Sequence, residues 1–389
     1  MGSKAVKIQD ISTAFVYADV HRNWVFVKIM TDEGIVGWGE ATVEGKEKTV
    51  AQAVDDLKRQ LVGRDPFQIE LLWQEMYRNA FWVGGPILTS AISGVEQALW
   101  DIKGKALGVP VWQLLGGKMR DRVRAYANGW FGGCKTPRQF ARAAAATVER
   151  GFTALKWDPF GGAGLFIERE QEELAVVIVR EVRGAVGPNI DLLIEVHGRL
   201  NPADAIRVAH RLAEFRPFFY EEPVPPENID ALALVARSIP IPVATGERLF
   251  TKWGFKDVLE KQAAAVIQPD LCHDGGILET RKIAAMAQVY YVGLAPHNPN
   301  GPVSTAACIA VDACTPNFVI QEYVIGDEAI RKDIQGESIT LQDGYFVVSD
   351  RPGLGVEIDE AAVARYPYQP TTMTGMMTPE RNFHWDEPS

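Results

Sequence analysis

The stretches that decide the fold are DLLIE at 191–195, PFFYE at 217–221 and IPVATGE at 241–247. Each is a short apolar or extended run that ends in a glutamate, and these glutamates, Glu195, Glu221 and Glu247, are spaced 26 residues apart. This spacing fits one strand–helix unit, and the parallel strands of such units end at a common face. Carboxylates crowded there would repel one another unless a divalent cation lay between them. The three stretches therefore predict a hard-metal site at the mouth of a β/α barrel.

The composition is that of a globular protein with room for two folding units. The chain has 389 residues, of which 47% are hydrophobic, whereas a β/α barrel alone takes about 250 residues. The formal net charge is −10 and there is no Lys/Arg-rich tract. A basic footprint for nucleic acid is therefore lacking.

Cysteine usage and apolar runs indicate the compartment. The four cysteines lack CxxC spacing, which argues against both a disulfide framework and a zinc site and favours a reducing compartment. The opening segment MGSKAVKIQD has no apolar stretch of signal-peptide length, and no run of about 18 apolar residues predicts a membrane helix. We expect a cytoplasmic protein that does not bind membranes.

The first third of the chain is predicted to form an α+β unit. The first 45 residues alternate like strands and contain a turn at 32–34, and helical periodicity follows over 49–63 and 90–108. Because the strands precede the helices instead of alternating with them, we assign residues 1–122 to one α+β unit.

Residues 123–325 change to regular alternation of strands and helices. Repeated βα units imply a parallel sheet, and their number favours a closed (β/α) barrel of the TIM type over an open sheet. Residues 326–389 are predicted to be irregular and to pack back on the N-terminal unit.

Ionisable side chains stand at six successive strand ends, with further ones beside them. They are Lys156, Asp158, Glu195, His197, Glu221, Glu247, Asp270, His297 and Glu322. The intervals from Glu195 onward are 26, 26, 23, 27 and 25 residues. The C-terminal ends of barrel strands are where such folds keep their active sites. Any one of these residues could be structural, but the regular series indicates a catalytic face.

With these motifs the chain resembles the enolase superfamily in its mandelate racemase branch, most closely the galactonate dehydratases and related acid-sugar dehydratases. The similarity covers nearly the whole chain. The blocks that carry it are ALWDIKGKALGVPVWQLLGG at 98–117, EVHGR at 195–199, EEPV at 221–224, TGERLF at 245–250, QPDLCHDGGI at 268–277, LAPHNPNGP at 294–302 and PGLGVEID at 352–359. The resemblance implies an N-terminal α+β capping domain, completed by the C-terminal tail, over a modified (β/α) barrel.

The resemblance also implies a metal-assisted proton abstraction next to a carboxylate. Its metal ligands match Glu195, Glu221 and Glu247, and hard oxygen ligands favour Mg²⁺, with Mn²⁺ as a substitute. The first ligand is commonly aspartate in the branch, so Glu195 is a departure. Mg²⁺ on the substrate carboxylate would stabilise the charge of the enediolate.

The two strand-end histidines match an acid and a base. His297 is the candidate general base, and Asp270 matches the partner that fixes its tautomer and raises its basicity. His197 matches the general acid for a departing β-hydroxyl, although it could simply bind a substrate hydroxyl. Strand periodicity would point its side chain to the same side as Glu195.

Lys156 and Asp158 occupy the position of a Lys-x-Lys pair that racemases of the branch carry, and only the first lysine is kept. Lys156 is expected to offset substrate charge, or alternatively to pair with Asp158. Glu322 matches a residue that hydrogen-bonds the bound carboxylate, best when protonated. Further candidate substrate contacts are His21, Trp82, Asp158, Arg248 and Asn298.

Together these features predict a dehydratase of an aldonic-type sugar acid that yields a 2-keto-3-deoxy acid. Two alternatives stay open: a cycloisomerase, in which the same α-anion of an anhydro or cyclic sugar acid expels a ring oxygen, and a non-catalytic sugar-acid binding protein. The intact pair of histidines argues against a mere binder. The partner is a small molecule in each case, and the resemblance implies a homo-oligomer.

Overall fold

The N-terminal part of the structure, a computed structural model that describes residues 6–19, 22–371 and 381–385, begins with an antiparallel sheet. Its strands, paired in chain order, are β1 (Ile8–Asp19), β2 (Arg22–Thr31) and β3 (Val36–Glu40). The predicted turn lies between β2 and β3, where Gly34 N donates to Thr31 O at 3.1 Å. The central strand β2 is covered on both faces, because consecutive apolar residues from Trp24 to Val27 are fully buried.

Helices cover this sheet. They are α1 (Glu47–Leu61), α2 (Ile69–Arg78), α3 (Pro86–Leu107) and the short α4 (Val111–Leu114). The helix α3 lies flush against β3 because glycines face each other, with a Cβ added at Gly39 falling 1.8 Å from Gly94 O. Sequence periodicity predicted α1 and α3, and α2 is an addition.

The middle of the chain alternates strands and helices as predicted. The strands are β4 (Arg122–Asn128), β5 (Ala154–Trp157), β6 (Asp191–Glu195), β7 (Phe219–Glu221), β8 (Val243–Thr245), β9 (Val266–Ile267), β10 (Gly293–Leu294) and β11 (Gln321–Val324). The helices between them are α5 (Pro137–Glu149), α6 (Arg169–Val186), α7 (Pro202–Leu212), α8 (Ile229–Ser238), α9 (Thr251–Glu260), α10 (Ile277–Val289) and α11 (Pro302–Cys314). A 3₁₀ turn at Ala213–Phe215 extends α7.

The strands β4 to β11 close into a parallel barrel. Each pairs with the next from β4 to β10, and β11 returns to pair with β4. The last gap is bridged just before β11, where Val319 N donates to Leu294 O at 2.8 Å. Buried side chains such as Tyr126, Leu193 and Phe219 form one interior cluster, so the barrel is filled and its polar mouth is the place for a site.

The C-terminal segment is more regular than predicted. It contains α12 (Glu328–Gln335), β12 (Leu341–Gln342), β13 (Tyr345–Val347) and α13 (Glu360–Val363). The expectation of irregular structure is wrong because β13 pairs with a strand that lies far away in the sequence. It forms an antiparallel pair with the first residues of β4. Further on, Tyr366 O accepts from Tyr17 N at 3.0 Å, so the segment also contacts β1.

The predicted fold class, a (β/α) barrel with an N-terminal α+β unit, is confirmed. The boundaries placed at residues 122 and 325 stay predictions. Among the described residues no helix has both the length and the apolar character needed to cross a bilayer.

Candidate metal and catalytic site

Three glutamates meet at the mouth of the barrel. Glu195 and Glu221 are the last residues of β6 and β7, and Glu247 follows β8 by two residues. One carboxylate oxygen from each lies within 4.8 Å of the others. The 26-residue spacing in the sequence thus corresponds to neighbouring strand ends.

The donor set of these glutamates fits a hard divalent cation. Each keeps a buried Oε2 atom that accepts no hydrogen bond, although Lys156 and His297 lie within ion-pair distance of two of these atoms. Buried carboxylate oxygens without a hydrogen bond are costly unless a positive group satisfies them. Burial, together with the nearby charge of Glu195, raises the pKa of the Glu221 carboxyl to about 8. Carboxylate oxygens in this number are ligands that Mg²⁺ and Mn²⁺ accept.

Lys156 lies beside this cluster and is buried. Its Nζ is 2.8 Å from Glu221 Oε1, 3.1 Å from Glu322 Oε1 and 3.4 Å from Glu195 Oε2. Burial alone would lower the pKa of the ammonium group, but the surrounding carboxylates raise it well above its ordinary value. Lys156 is therefore a fixed positive charge paired with glutamates, and the alternative of a pair with Asp158 is wrong.

His297, three residues after β10, is held by Asp270. Its Nδ1 lies 2.7 Å from Asp270 Oδ2, and its Nε2 is turned to the glutamate cluster, 3.5 Å from Glu247 Oε2. Burial tends to lower the imidazole pKa, but Glu247, Glu322 and Asp270 raise it well above its ordinary value. A cation bound at the glutamates would oppose this increase, since it repels the imidazolium form.

His197 forms a second histidine–aspartate pair. Its Nδ1 lies 2.9 Å from Asp158 Oδ2, while Arg199 Nη2 contacts the other oxygen of Asp158. Burial lowers the pKa of His197, yet Glu195 and Asp158 outweigh it and raise the pKa to about 9. These carboxylates favour the protonated form of His197, and a cation bound at Glu195 would oppose part of the increase.

The backbone places His197 differently from what alternation predicted. The strand β6 ends at Glu195, and His197 adopts a left-handed conformation with φ 54°. Non-glycine residues rarely adopt this region, and it is stabilised here by two hydrogen bonds: His197 N donates to Glu195 Oε1 at 2.6 Å and Gly198 N donates to Glu222 O at 2.7 Å. This turn and the hydrogen bond to Asp158 together direct the side chain of His197 to the barrel mouth.

Glu322 lies at the site, but not in the predicted protonation state. Burial would raise its pKa, whereas Lys156 and His297 lower it to about 2. Its Oε1 accepts from Asn128 Nδ2 at 2.7 Å, and its Oε2 accepts from Asn298 N at 2.7 Å. An ionised, fully bonded carboxylate cannot donate to a substrate carboxylate, so the expectation of a protonated Glu322 is wrong.

The remaining predicted contacts divide by burial. Asp158 is buried and both its oxygens already accept hydrogen bonds. Asn298 is also fully buried, and its Nδ2 donates to Thr305 on α11. Trp82 is 80% exposed, and Arg248 pairs with Glu222 near Gly198. His21 lies outside the described residues.

Two polar residues of this neighbourhood were not predicted. Arg199 is buried against Asp158, and Asn300 donates from Nδ2 to both oxygens of Asp270, at 3.1 and 3.0 Å. Each lies two or three residues beyond a predicted histidine, within the EVHGR and LAPHNPNGP blocks. Their position close to a predicted catalytic histidine is the feature of the sequence that could have identified them.

Two family descriptions match the chain. Residues 4–116 match the N-terminal domain of mandelate racemase and muconate lactonizing enzyme, and residues 139–362 match the family described as enolase C-terminal domain-like. Among solved structures, a mandelate racemase/muconate lactonizing enzyme-like protein from Roseovarius sp. TM1035 superposes with a TM-score of 0.89 at 38% identity, covering 98% of this chain and 99% of that one. A member of the enolase superfamily from Salmonella Typhimurium gives 0.88 at 34% identity, with 93% and 98% covered.

Curated relatives extend this likeness to enzymes of known activity. D-galactonate dehydratase of Pectobacterium atrosepticum is 45% identical over 346 residues, which are 87% of this chain and 90% of that enzyme. The D-galactonate dehydratase of Cronobacter sakazakii is 44% identical with the same coverage. The chain belongs to the mandelate racemase and muconate lactonizing enzyme family of the enolase superfamily.

Proposed function

We propose that the protein is a Mg²⁺-dependent dehydratase, a hydro-lyase, that converts an aldonic-type sugar acid to its 2-keto-3-deoxy acid. The observation that carries this proposal is the pair of histidine–aspartate couples that flank one three-glutamate cluster, in which Glu195 and Glu221 are buried and Glu247 is half-buried. A dehydration needs a base for the α-proton and an acid for the β-hydroxyl, and a binding protein needs neither. The 45% identity to a D-galactonate dehydratase supports the same reaction class.

The geometry supports His297 as the base. Nδ1 is engaged by Asp270, which leaves Nε2 as the atom that takes the proton, and Asp270 stabilises the imidazolium that results. Glu195, Glu221 and Glu247 would hold the metal ion. When bound, Mg²⁺ would offset the negative charge that develops on the substrate carboxylate.

The charge on His197 supports its role as the acid. Its raised pKa, to which Asp158 contributes, favours a protonated imidazole, and Asp158 holds Nδ1, so Nε2 is the atom that would deliver the proton to the leaving hydroxyl. The α C–H bond and the β C–O bond break, a carbon–carbon double bond forms, and water leaves with the proton of His197. The enol then tautomerises to the 2-keto acid.

Lys156 and Glu322 act on the substrate through the charge that they set in the site. Lys156 places a buried positive charge beside the carboxylate cluster. Glu322 Oε1, which lies 3.1 Å from Lys156 Nζ, holds this ammonium group in position. Asp158 is proposed here as a positioning residue for His197 instead of a substrate contact, since its oxygens are already bonded. Trp82 and Arg248 stay proposed contacts of the substrate.

A panel of sugar acids tests the proposal. The full-length protein with Mg²⁺ is incubated with D-galactonate, further aldonic acids, sugar diacids and anhydro sugar acids, and 2-keto acid formation is measured. We expect one aldonic acid to give a 2-keto-3-deoxy product, with no product after EDTA treatment. Ring opening of an anhydro acid alone would support a cycloisomerase instead, and binding without turnover would support a sugar-acid binding protein.

A further inference from the structure

The segment Asn298–Gly301, which directly follows His297, is anchored at every residue. Each anchor is a charged side chain that bonds a backbone N–H or C=O group. The contacts are Asn298 N to Glu322 Oε2 (2.7 Å), Pro299 O from Arg22 Nη1 (2.5 Å), Asn300 O from Arg331 Nη2, and Gly301 N to Glu40 Oε1 (2.6 Å). Loops are usually more mobile than the elements they connect, whereas this segment is hydrogen-bonded to charged side chains at every residue.

The anchors come from distant parts of the chain. Arg22 and Glu40 belong to the N-terminal sheet, whereas Arg331 lies on α12 in the C-terminal segment. Arg331 is 2% exposed, and its Nε lies 2.7 Å from Asp327 Oδ1. Gly301 allows the close approach of Glu40, because a Cβ there would lie 2.8 Å from Oε1 of Glu40. The segment is therefore locked by both the capping unit and the tail.

The one side chain that connects this locked segment to the proposed base pair is Asn300. It is 2% exposed, and its Nδ2 lies 3.1 and 3.0 Å from the two oxygens of Asp270. Asp270 Oδ1 also accepts from Cys272 N at 2.7 Å, which leaves Oδ2 directed to His297 Nδ1. Without Asn300 the carboxylate would lose a contact on each oxygen, and Oδ2, unlike Oδ1 with its bond from Cys272 N, would keep no hydrogen bond other than the one to His297.

We propose that Asn300 is a positioning residue for His297 and acts through Asp270. It transfers the rigidity of the anchored segment to the carboxylate, which in turn orients the imidazole. This inference rests on the proposed function, because it assumes that His297 is the base. Groups that hydrogen-bond the side chains ligating a metal change metal affinity or activity by about 10–100-fold when removed, and we expect an effect of this order for Asn300.

Kinetics of Asn300→Ala test the proposal, with Asn317→Ala as the matched control. Asn317 makes two bonds from Nδ2 as well, to Ala284 O and Val292 O, but it lies before β11 at the opposite end of the barrel. We expect kcat for sugar-acid dehydration to fall about 10–100-fold in Asn300→Ala, while KM and Mg²⁺ affinity stay within about threefold. Asn300→Ser offers a second variant with the same expected direction if the alanine variant does not fold.

A readout that needs no substrate separates this proposal from the proposed function. In Mg²⁺-loaded protein labelled with ¹⁵N-histidine, the Nδ1–H signal of His297 is assigned with His297→Asn. Its exchange with solvent should be slow in the wild type and in Asn317→Ala, and faster in Asn300→Ala. If the wild type converts no sugar acid, the proposed function fails and proton exchange still tests Asn300. Unchanged kcat, or unchanged exchange, in the Asn300 variants would overturn the positioning role.

Discussion

The two histidines at the barrel mouth differ in their surroundings, and this difference supports the opposite tasks that we propose for them. The imidazole of His197 bonds Asp158 and its backbone N donates to the carboxylate of Glu195, whereas His297 turns Nε2 to Glu247. Both pKa values are raised by carboxylates. Candidate metal ligands contribute to both shifts, Glu195 and Glu247 at His197 and Glu247 at His297, so a bound cation would oppose both. The proposed base is therefore chosen on geometry, since Nε2 of His297 faces the glutamate cluster.

Replacing each histidine by asparagine should separate the two steps. The His297→Asn variant should lose both dehydration and exchange of the substrate α-proton with solvent deuterium. The His197→Asn variant should lose dehydration by about 10²–10⁴-fold but keep α-proton exchange, because it lacks only the acid. Mass spectrometry of recovered substrate measures this exchange. Exchange that survives in His297→Asn would refute the assignment of the base.

The charge of His197 predicts the alkaline limb of the pH profile. Its raised pKa means that the protonated acid is present at neutral pH and is lost as pH rises through the shifted value. Since Asp158 contributes to the shift and is not a proposed metal ligand, we expect kcat to fall with a midpoint above the ordinary value of 6.5. The Asp158→Asn variant should move this midpoint down. An alkaline limb that is the same in both proteins would contradict the role of Asp158.

Residue types and spacing predicted the site as far as strand ends determine it. The three glutamates and the His297–Asp270 pair each lie at or just after a strand, so their meeting follows from the barrel. The charge state of Glu322 could not be predicted, because it depends on Asn128 and Lys156, which arrive from other strands. Contacts between side chains of distant elements are not encoded in spacing.

At the scale of elements, the contact of α3 with β3 depends on residues that have no side chain. A Cβ at Gly39 would lie 1.8 Å from Gly94 O, and one at Gly94 would lie 2.8 Å from the Cβ of Ala41. The helix backbone therefore lies directly on the strand. Sequence periodicity predicted both elements, but it does not indicate how closely the backbones of α3 and β3 approach each other.

Gly39→Ala should destabilise the protein strongly. The new methyl group cannot fit against a backbone carbonyl, so α3 must shift, at a cost of about 1–3 kcal/mol or more in the free energy of unfolding. Gly184→Ala is the matched control, since Gly184 is exposed within α6 and a Cβ there meets nothing within 4 Å. That change should instead stabilise by about 0.5–1 kcal/mol. Urea unfolding of both variants measures the difference, and equal midpoints would refute the tight approach.

Across the whole molecule, segments far apart in sequence complete one another. The last strand, β13, pairs with β4 of the barrel, and Tyr366 O accepts a hydrogen bond from Tyr17 N on β1 of the N-terminal sheet. The alternating middle of the chain was predictable because each strand–helix unit is local. The tail was predicted as irregular because its elements are short and because β13 pairs with β4, a strand more than 200 residues away in the sequence.

Metal binding should stabilise the folded molecule as a whole, because the three glutamates are assembled only in the native state. Mg²⁺ at about 100 times its dissociation constant should add about 2.7 kcal/mol to the free energy of unfolding and raise the melting temperature by a few degrees. Glu221→Gln removes one charge of the cluster and should abolish this increase, whereas Glu222→Gln changes a neighbour that pairs with Arg248 and should retain most of it. Differential scanning calorimetry with EDTA, Mg²⁺ and Mn²⁺ measures the three proteins. Equal stabilisation of wild type and Glu221→Gln would mean that the cation binds elsewhere, and the proposed site would then be wrong.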